Sequence, residues 1–192
     1  MSDHRTALGG CQASGLVEIS EAEARGMIAI RADLDNADLK RSLDAVVGAG
    51  VPAPGQVSDR ARGQICWMSP DELLLMLPKA ACDETLTRLR DDLVGQHALV
   101  EDMSDARAVF VLEGDHCRDV LAKISPADVR ASVLSPGVIR RTRMGQVPAA
   151  FWLTREARAE VICFRSVARY VFDLLDAASS GPPLRMERPA AK

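Results

Sequence analysis

Gly114-Asp115-His116-Cys117 is where residues able to do chemistry stand closest together: a carboxylate, a base and a nucleophile in consecutive positions. Nucleophilic catalysis needs a thiol and its base within hydrogen-bond reach. Neighbours on a helix point about 100° apart, so consecutive residues do not meet in that way. A thiol at a helix N-terminus can have a lowered pKa. The same residues are accounted for if Asp115 supplies acceptors at the helix start, His116 faces water and Cys117 joins the core.

The other reactive side chains are scattered. His4 and His97 are isolated and form no H-x-x-x-H or H-E-x-x-H spacing. Cys11, Cys66, Cys82, Cys117 and Cys163 contain no C-x-x-C pair, and reduced thiols are the simplest reading. The acid pairs Asp91-Asp92 and Glu101-Asp102 read as solvated faces. Arg140, Arg141 and Arg143 are more suggestive, because 141 and 143 share one face of a strand and could grip a carboxylate, a phosphate or an acidic partner surface. Protection of a sheet edge is the plainer role. No catalytic, cofactor-binding or metal-binding residue is expected in this chain.

The elements that would position these residues follow a repeated order. Residues 27–32 are an apolar, isoleucine-containing run that predicts a strand. Asn36 can cap a helix with Leu39, Leu43, Val46 and Val47 on one face, stopped by Gly48. Residues 48–63, with four glycines and two prolines, read as a connector carrying no phosphate-binding glycine pattern. Strands at 64–68 and 72–77 flank the turn Ser69-Pro70-Asp71. A helix over 82–94 presents Leu86, Leu89, Leu93 and Val94, with a Glu84–Arg88 pair opposite, and 99–102 is a short strand.

This βαββαβ order is ferredoxin-like, and the second half repeats it. A strand at 107–112 and a helix over 115–124 precede a second long loop at 125–137. Strands at 138–144, 148–154 and 160–164 lead to a helix opened by Ser166, with Val167, Tyr170, Val171, Leu174, Leu175 and Ala178 inward. Trp67 and Trp152, 85 positions apart, mark the internal correspondence. The expected class is α+β: an N-terminal tail at 1–24, tandem units at 25–103 and 104–178, and a proline-containing tail at 179–192.

Bulk properties exclude some partners. A net charge of -3 provides no footprint for nucleic acid, and the aliphatic core implied by 47% apolar but only 4% aromatic residues is ordinary for a globular protein. No apolar run approaches the roughly 20 residues of a membrane helix, and the N-terminus lacks a secretory h-region. A cytoplasmic location is expected.

Several ordered segments carry a resemblance. Val51-Pro-Ala-Pro-Gly-Gln, Trp67-Met-Ser-Pro-Asp-Glu-Leu-Leu-Leu-Met-Leu-Pro, Val100-Glu-Asp-Met-Ser-Asp-Ala-Arg-Ala, Gly114-Asp-His-Cys-Arg-Asp-Val-Leu-Ala-Lys, Arg141-Thr-Arg-Met-Gly-Gln-Val and Phe164-Arg-Ser-Val-Ala-Arg-Tyr resemble the gamma subunits of heterotetrameric sarcosine oxidases. The resemblance implies a non-catalytic partner of alpha, beta and delta subunits. Those partners would carry FAD, FMN and NAD, oxidise sarcosine to glycine and pass the one-carbon unit to water or tetrahydrofolate. It also implies a fold like the first part of the folate-binding aminomethyltransferases. This chain departs from those relatives where Asp59-Arg-Ala-Arg-Gly-Gln-Ile-Cys replaces their Gly-Gly-x-x-Asp-Asp segment, and it lacks the Lys-Gly-Cys-Tyr-x-Gly-Gln signature of iron–sulfur maintenance proteins. The alternatives are a free-standing folate-binding or aminomethyltransferase-like protein, and an unrelated interaction module.

Overall fold

Asn36 opens the first helix as its spacing predicts. Its side-chain oxygen accepts from the amides of Asp38 and Leu39, and Gly48 closes the helix in the left-handed conformation at φ 76°. The computed structural model describes residues 6–184, and within them the chain forms two wholly antiparallel sheets with two helices on each. The first half comprises β1 (Gln12–Ser14), β2 (Glu18–Glu21), β3 (Arg25–Arg31), α1 (Ala37–Val47), β4 (Val57–Arg60), β5 (Gly63–Ser69), β6 (Glu72–Pro78) and α2 (Cys82–Asp92). The second comprises β7 (Leu99–Asp102), β8 (Arg107–Glu113), α3 (Cys117–Ile124), β9 (Ile139–Met144), β10 (Val147–Arg155), β11 (Arg158–Phe164) and α4 (Ala168–Ser180).

One sheet has the order β4-β5-β6-β3-β7 and the other β9-β10-β11-β8-β2-β1. The sheets stack face to face over Met27, Cys66, Leu74 and Met76 on one side and Val109, Ala150, Trp152 and Ile162 on the other. Helices α1 and α2 cover the outer face of the first sheet, and α3 and α4 that of the second. The result is a helix–sheet–sheet–helix sandwich, in which strands β3, β6, β8, β10 and β11 bury side chains on both faces.

The two repeats exchange their first strands. In the first, β2 leads to β3 but pairs with β8, and in the second, β7 leads to β8 but pairs with β3. Equivalent backbone bonds fasten both crossings, from Ala22 to the Val109 carbonyl at 2.8 Å and from Met103 to the Met27 carbonyl at 2.7 Å. The two long connectors also meet, through the Gln56–Val138 bridge and bonds from Val57 to Gly137 and from Ile139 to Gly55.

Several sequence expectations are corrected here. Residues 1–24 are not all tail, because β1 and β2 lie within them and bury Val17 and Ile19. The connector 48–63 contains β4. Val94 is 76% exposed because α2 ends at Asp92, and Arg88 pairs with Asp92, not with Glu84. Ser166 does not open the last helix: it sits in a 3-10 turn, and Val167 at the helix start makes no side-chain cap bond. On that helix Phe172 is buried, while Tyr170 is exposed. The helix continues to Ser180, past the expected end of the second unit.

The two tryptophans are not equivalent. Strands β6 and β11 and the helices after them correspond with an offset of 86 (72 to 158, 82 to 168), one more than the tryptophan spacing. Cys66 therefore matches Trp152, both between the sheets, and Trp67 matches Leu153, both on outer faces. A shift of one residue turns a strand side chain to the opposite face. The tail residues Arg185, Met186 and Arg188, like His4, lie outside the described residues.

Candidate functional site

The inter-sheet layer is apolar at its centre and charged at its two ends. Glu160 on β11 points into this layer, its side chain only 4% exposed, because its strand alternates Glu160 and Ile162 toward the facing sheet. Arg25 on β3 reaches across from the other sheet and forms a two-pronged pair with it, Nη1–Oε2 at 2.8 Å and Nη2–Oε1 at 3.0 Å. Arg158 stands 3.8 Å from Glu160 and also binds Glu113 at 2.7 Å, which Arg155 joins at 3.0 Å. The hydrogen bond from Arg158 holds the Glu113 carboxyl below its ordinary pKa.

At the other end Glu72 on β6 accepts from Arg31 at 3.2 Å and from Arg141, across the sheets, at 3.1 Å. Arg141 also donates to the Met68 carbonyl. Glu72 and Arg31 are register partners, and at the repeat-related positions Arg158 and Glu113 are register partners with the charges reversed. Arg107 corresponds to Arg25, but Leu74 stands where its partner acid would be. Its guanidinium lies 4.6 Å from the centre of the Phe164 ring, its Nε is buried without a hydrogen bond, and burial lowers its pKa.

These groups are fixed in pairs that close the sandwich, and none combines a base, a nucleophile and an open approach. The consecutive Asp115, His116 and Cys117 do not form a trio, in keeping with their adjacency on the chain. His116 Nδ1 is 2.8 Å from Asp119, whereas the Cys117 thiol donates to the Leu112 carbonyl at 3.4 Å. Burial pushes the Cys117 thiol up to about 11, opposite to the activation that a helix N-terminus can confer. Asp115 is exposed and does not cap: α3 begins at Cys117, and His116 before it makes no side-chain cap bond.

The arginines of β9 are used differently from one another. This strand is a sheet edge, with Arg140 donating to the Val133 carbonyl, Arg141 clasping Glu72, and Arg143 exposed without an ion pair among the described residues. The acid pairs also divide. Asp92 accepts from Ser42 on α1, Glu101 pairs with Arg90, and Asp102 accepts from Ser104.

Sequence reasoning missed one cluster, Cys82, Asp83 and Asp102, whose potential ligand atoms lie within 4.8 Å of one another. Lys79 stands 3.6 Å from Asp102, and burial raises the Cys82 thiol, so the local chemistry disfavours a cation. It also missed Arg25, Glu72 and Glu160. The available signal was a charged residue at the head of each apolar strand, Glu72 before Leu-Leu-Leu and Glu160 before Val-Ile.

Comparison with known proteins places this architecture. Residues 31–181 match the family model "Sarcosine oxidase, gamma subunit family". A sarcosine oxidase subunit gamma from a Corynebacterium species is 31% identical over 144 residues, 72% of this chain and 68% of that protein. Among solved structures, a chain of the heterotetrameric sarcosine oxidase from Corynebacterium in complex with pyrrole 2-carboxylate aligns with a TM-score of 0.78 at 25% identity, covering 90% of this chain and 91% of that one. The glycine cleavage system aminomethyltransferase T from Bartonella henselae shares the fold at TM-score 0.60 and 15% identity, over 82% of this chain and 45% of that one. With the paired sheets, their covering helices and a family match through both repeats, this chain belongs to the sarcosine oxidase gamma subunit family.

Proposed function

We propose that this chain is a non-catalytic gamma subunit of a heterotetrameric sarcosine oxidase, stabilising larger subunits that oxidatively demethylate sarcosine to glycine. The observation that carries the reading is the 0.78 TM-score over nine-tenths of both chains, to a chain of a solved heterotetrameric sarcosine oxidase. The charged groups support it, because they are spent on joining the two sheets and leave no assembled acid, base and nucleophile. On this reading FAD, FMN and NAD reside on alpha and beta subunits, a delta subunit completes the complex, tetrahydrofolate is the complex's co-substrate, and assembly takes place in the cytoplasm. Among the described residues no helix is long and apolar enough to cross a membrane.

The experiment is a comparison of the isolated chain with the assembled complex. The isolated chain is expected to show no flavin absorbance and no sarcosine-dependent oxygen uptake, and the complex both. Isolated chain carrying flavin at near-unit stoichiometry contradicts the reading. Titration calorimetry with tetrahydrofolate addresses the folate-binding alternative, which rests on fold alone; micromolar affinity for the isolated chain would favour it.

A further inference from the structure

The two sheets part at one end to leave an open cleft of about 750 Å³ between the β2–β3 link and the tip of the β4–β5 hairpin. Its cations are Arg25, Arg60, Arg62, Lys79 and Arg158. Three of these have acids: Arg25 and Arg158 share Glu160, and Lys79 stands 3.6 Å from Asp102. Arg60 and Arg62 do not. Arg60 reaches only the carbonyl of Asp59, and neither guanidinium meets a carboxylate among the described residues.

The acids of the cleft do not answer them. Glu21 is occupied by the amides of Leu8 and Gly10, and Glu113 by Arg155 and Arg158, leaving Glu23 as the acid without a partner. Beside the two arginines, Gln64 donates to Asp59 at 3.0 Å and so holds that carboxylate on the β4–β5 hairpin away from them. The cleft thus presents two unmatched fork-shaped donors.

An extended acidic peptide offers the complement: carboxylates on alternate residues, about 6.6 Å apart on one face. The chain's own termini do not have this character. Residues 185–192 carry Arg185, Arg188 and Lys192 against Glu187, and residues 1–5 carry one acid and one arginine. We infer that this cleft docks an extended acidic segment of a partner subunit, held by Arg60 and Arg62, an assignment that rests on the gamma-subunit reading and locates its contact. Arginine is specific here, because a lysine would not reproduce the two-pronged contact.

Two measurements on the full-length chain test it. In the first, a fluorescein-labelled peptide of six aspartates is titrated against wild type, Arg60→Glu/Arg62→Glu, and Arg143→Glu as a distant exposed arginine. In the second, the same three forms are co-expressed with the flavin-bearing subunits and assembly is quantified. The double reversal is expected to weaken both by at least tenfold and Arg143→Glu to leave both within twofold. Circular dichroism of the double variant checks that loss does not come from misfolding. Wild-type assembly unaffected by the double reversal, with no peptide binding, overturns the cleft and leaves the subunit reading intact. Peptide binding without assembly contradicts the subunit reading while keeping the cleft as an acidic-peptide site. Self-association of wild type that the double reversal abolishes, in place of subunit binding, assigns the cleft to a second copy and overturns the proposal.

Discussion

Removal of residues 1–24 should unfold the second half of the molecule, although the sequence presents this segment as a tail. Ile19 on strand β2 and Val17 just before it, both essentially buried, belong to the core under α3 and α4. At about 1.5–3 kcal/mol for each aliphatic side chain taken out of water, their loss costs about 3–6 kcal/mol. The crossing also forfeits the bonds from Ala22 to Val109, from Leu16 to Ser179 and from Val17 to the Ser179 hydroxyl, at about 1 kcal/mol net apiece. The sum, about 6–9 kcal/mol, is comparable to the whole stability of a typical domain, about 5–15 kcal/mol. Urea unfolding followed by near-ultraviolet circular dichroism is the assay. The truncated chain should show no cooperative transition. Ile19→Ala, at about 2–5 kcal/mol, should lower the midpoint by about 1 M or more, taking roughly 2 kcal/mol per molar urea. A truncated chain whose midpoint equals that of the full chain would refute the exchange of first strands as a structural necessity.

Other consequences can be measured on the same protein. Glu160→Ala leaves Arg25 without its acid in a largely buried site and should cost about 3–5 kcal/mol in urea unfolding, whereas Arg25→Met/Glu160→Leu should lie within about 2 kcal/mol of wild type; equal losses would argue against a buried pair. Burial raises Cys66 and holds Cys117 and Cys163 at about 11 and about 12, so these thiols stay protonated until the pH climbs past those values. Thiol titration of the native chain at pH 8 should therefore find Cys11, the one cysteine that is not buried, reacting first, and unfolding should release all five; fast reaction of Cys117 would contradict its assignment to the core. His116→Ala should leave turnover of the assembled complex within a few-fold, while a loss of about a thousandfold would mark a catalytic group.

The helices were legible because their periodicity is long and regular. Leu39, Leu43 and Val47 recur on one face of α1, as do Val171, Leu175 and Ala178 on α4, and all six are buried. Strands β1 and β2 were not, being Gln-Ala-Ser and Glu-Ile-Ser-Glu, with too few residues to form an apolar run. Strand β2 owes its strand character to pairing with β8, about 90 positions onward, and β1 to pairing with β2; no local signal reports the β8 partner. The displaced tryptophan correspondence is not caused by the hairpin irregularities, which lie at equivalent positions, between Trp67 and Ser69 and between Leu153 and Arg155; the pairing register decides which face each tryptophan takes, and residue type does not reveal it. The charged clasps were the least legible part, since Arg25 and Glu160 are 135 positions apart and acquire their roles only when the sheets stack.

Affinity purification through a tag on this chain, after co-expression with the other sarcosine oxidase subunits, tests the central claim most directly. The gamma-subunit account predicts that the eluate contains all the subunits in fixed proportion, shows flavin absorbance, and consumes oxygen when sarcosine is added. Recovery of this chain alone, without flavin or sarcosine-dependent oxygen uptake, while the remaining subunits assemble and turn over without it, would contradict the account.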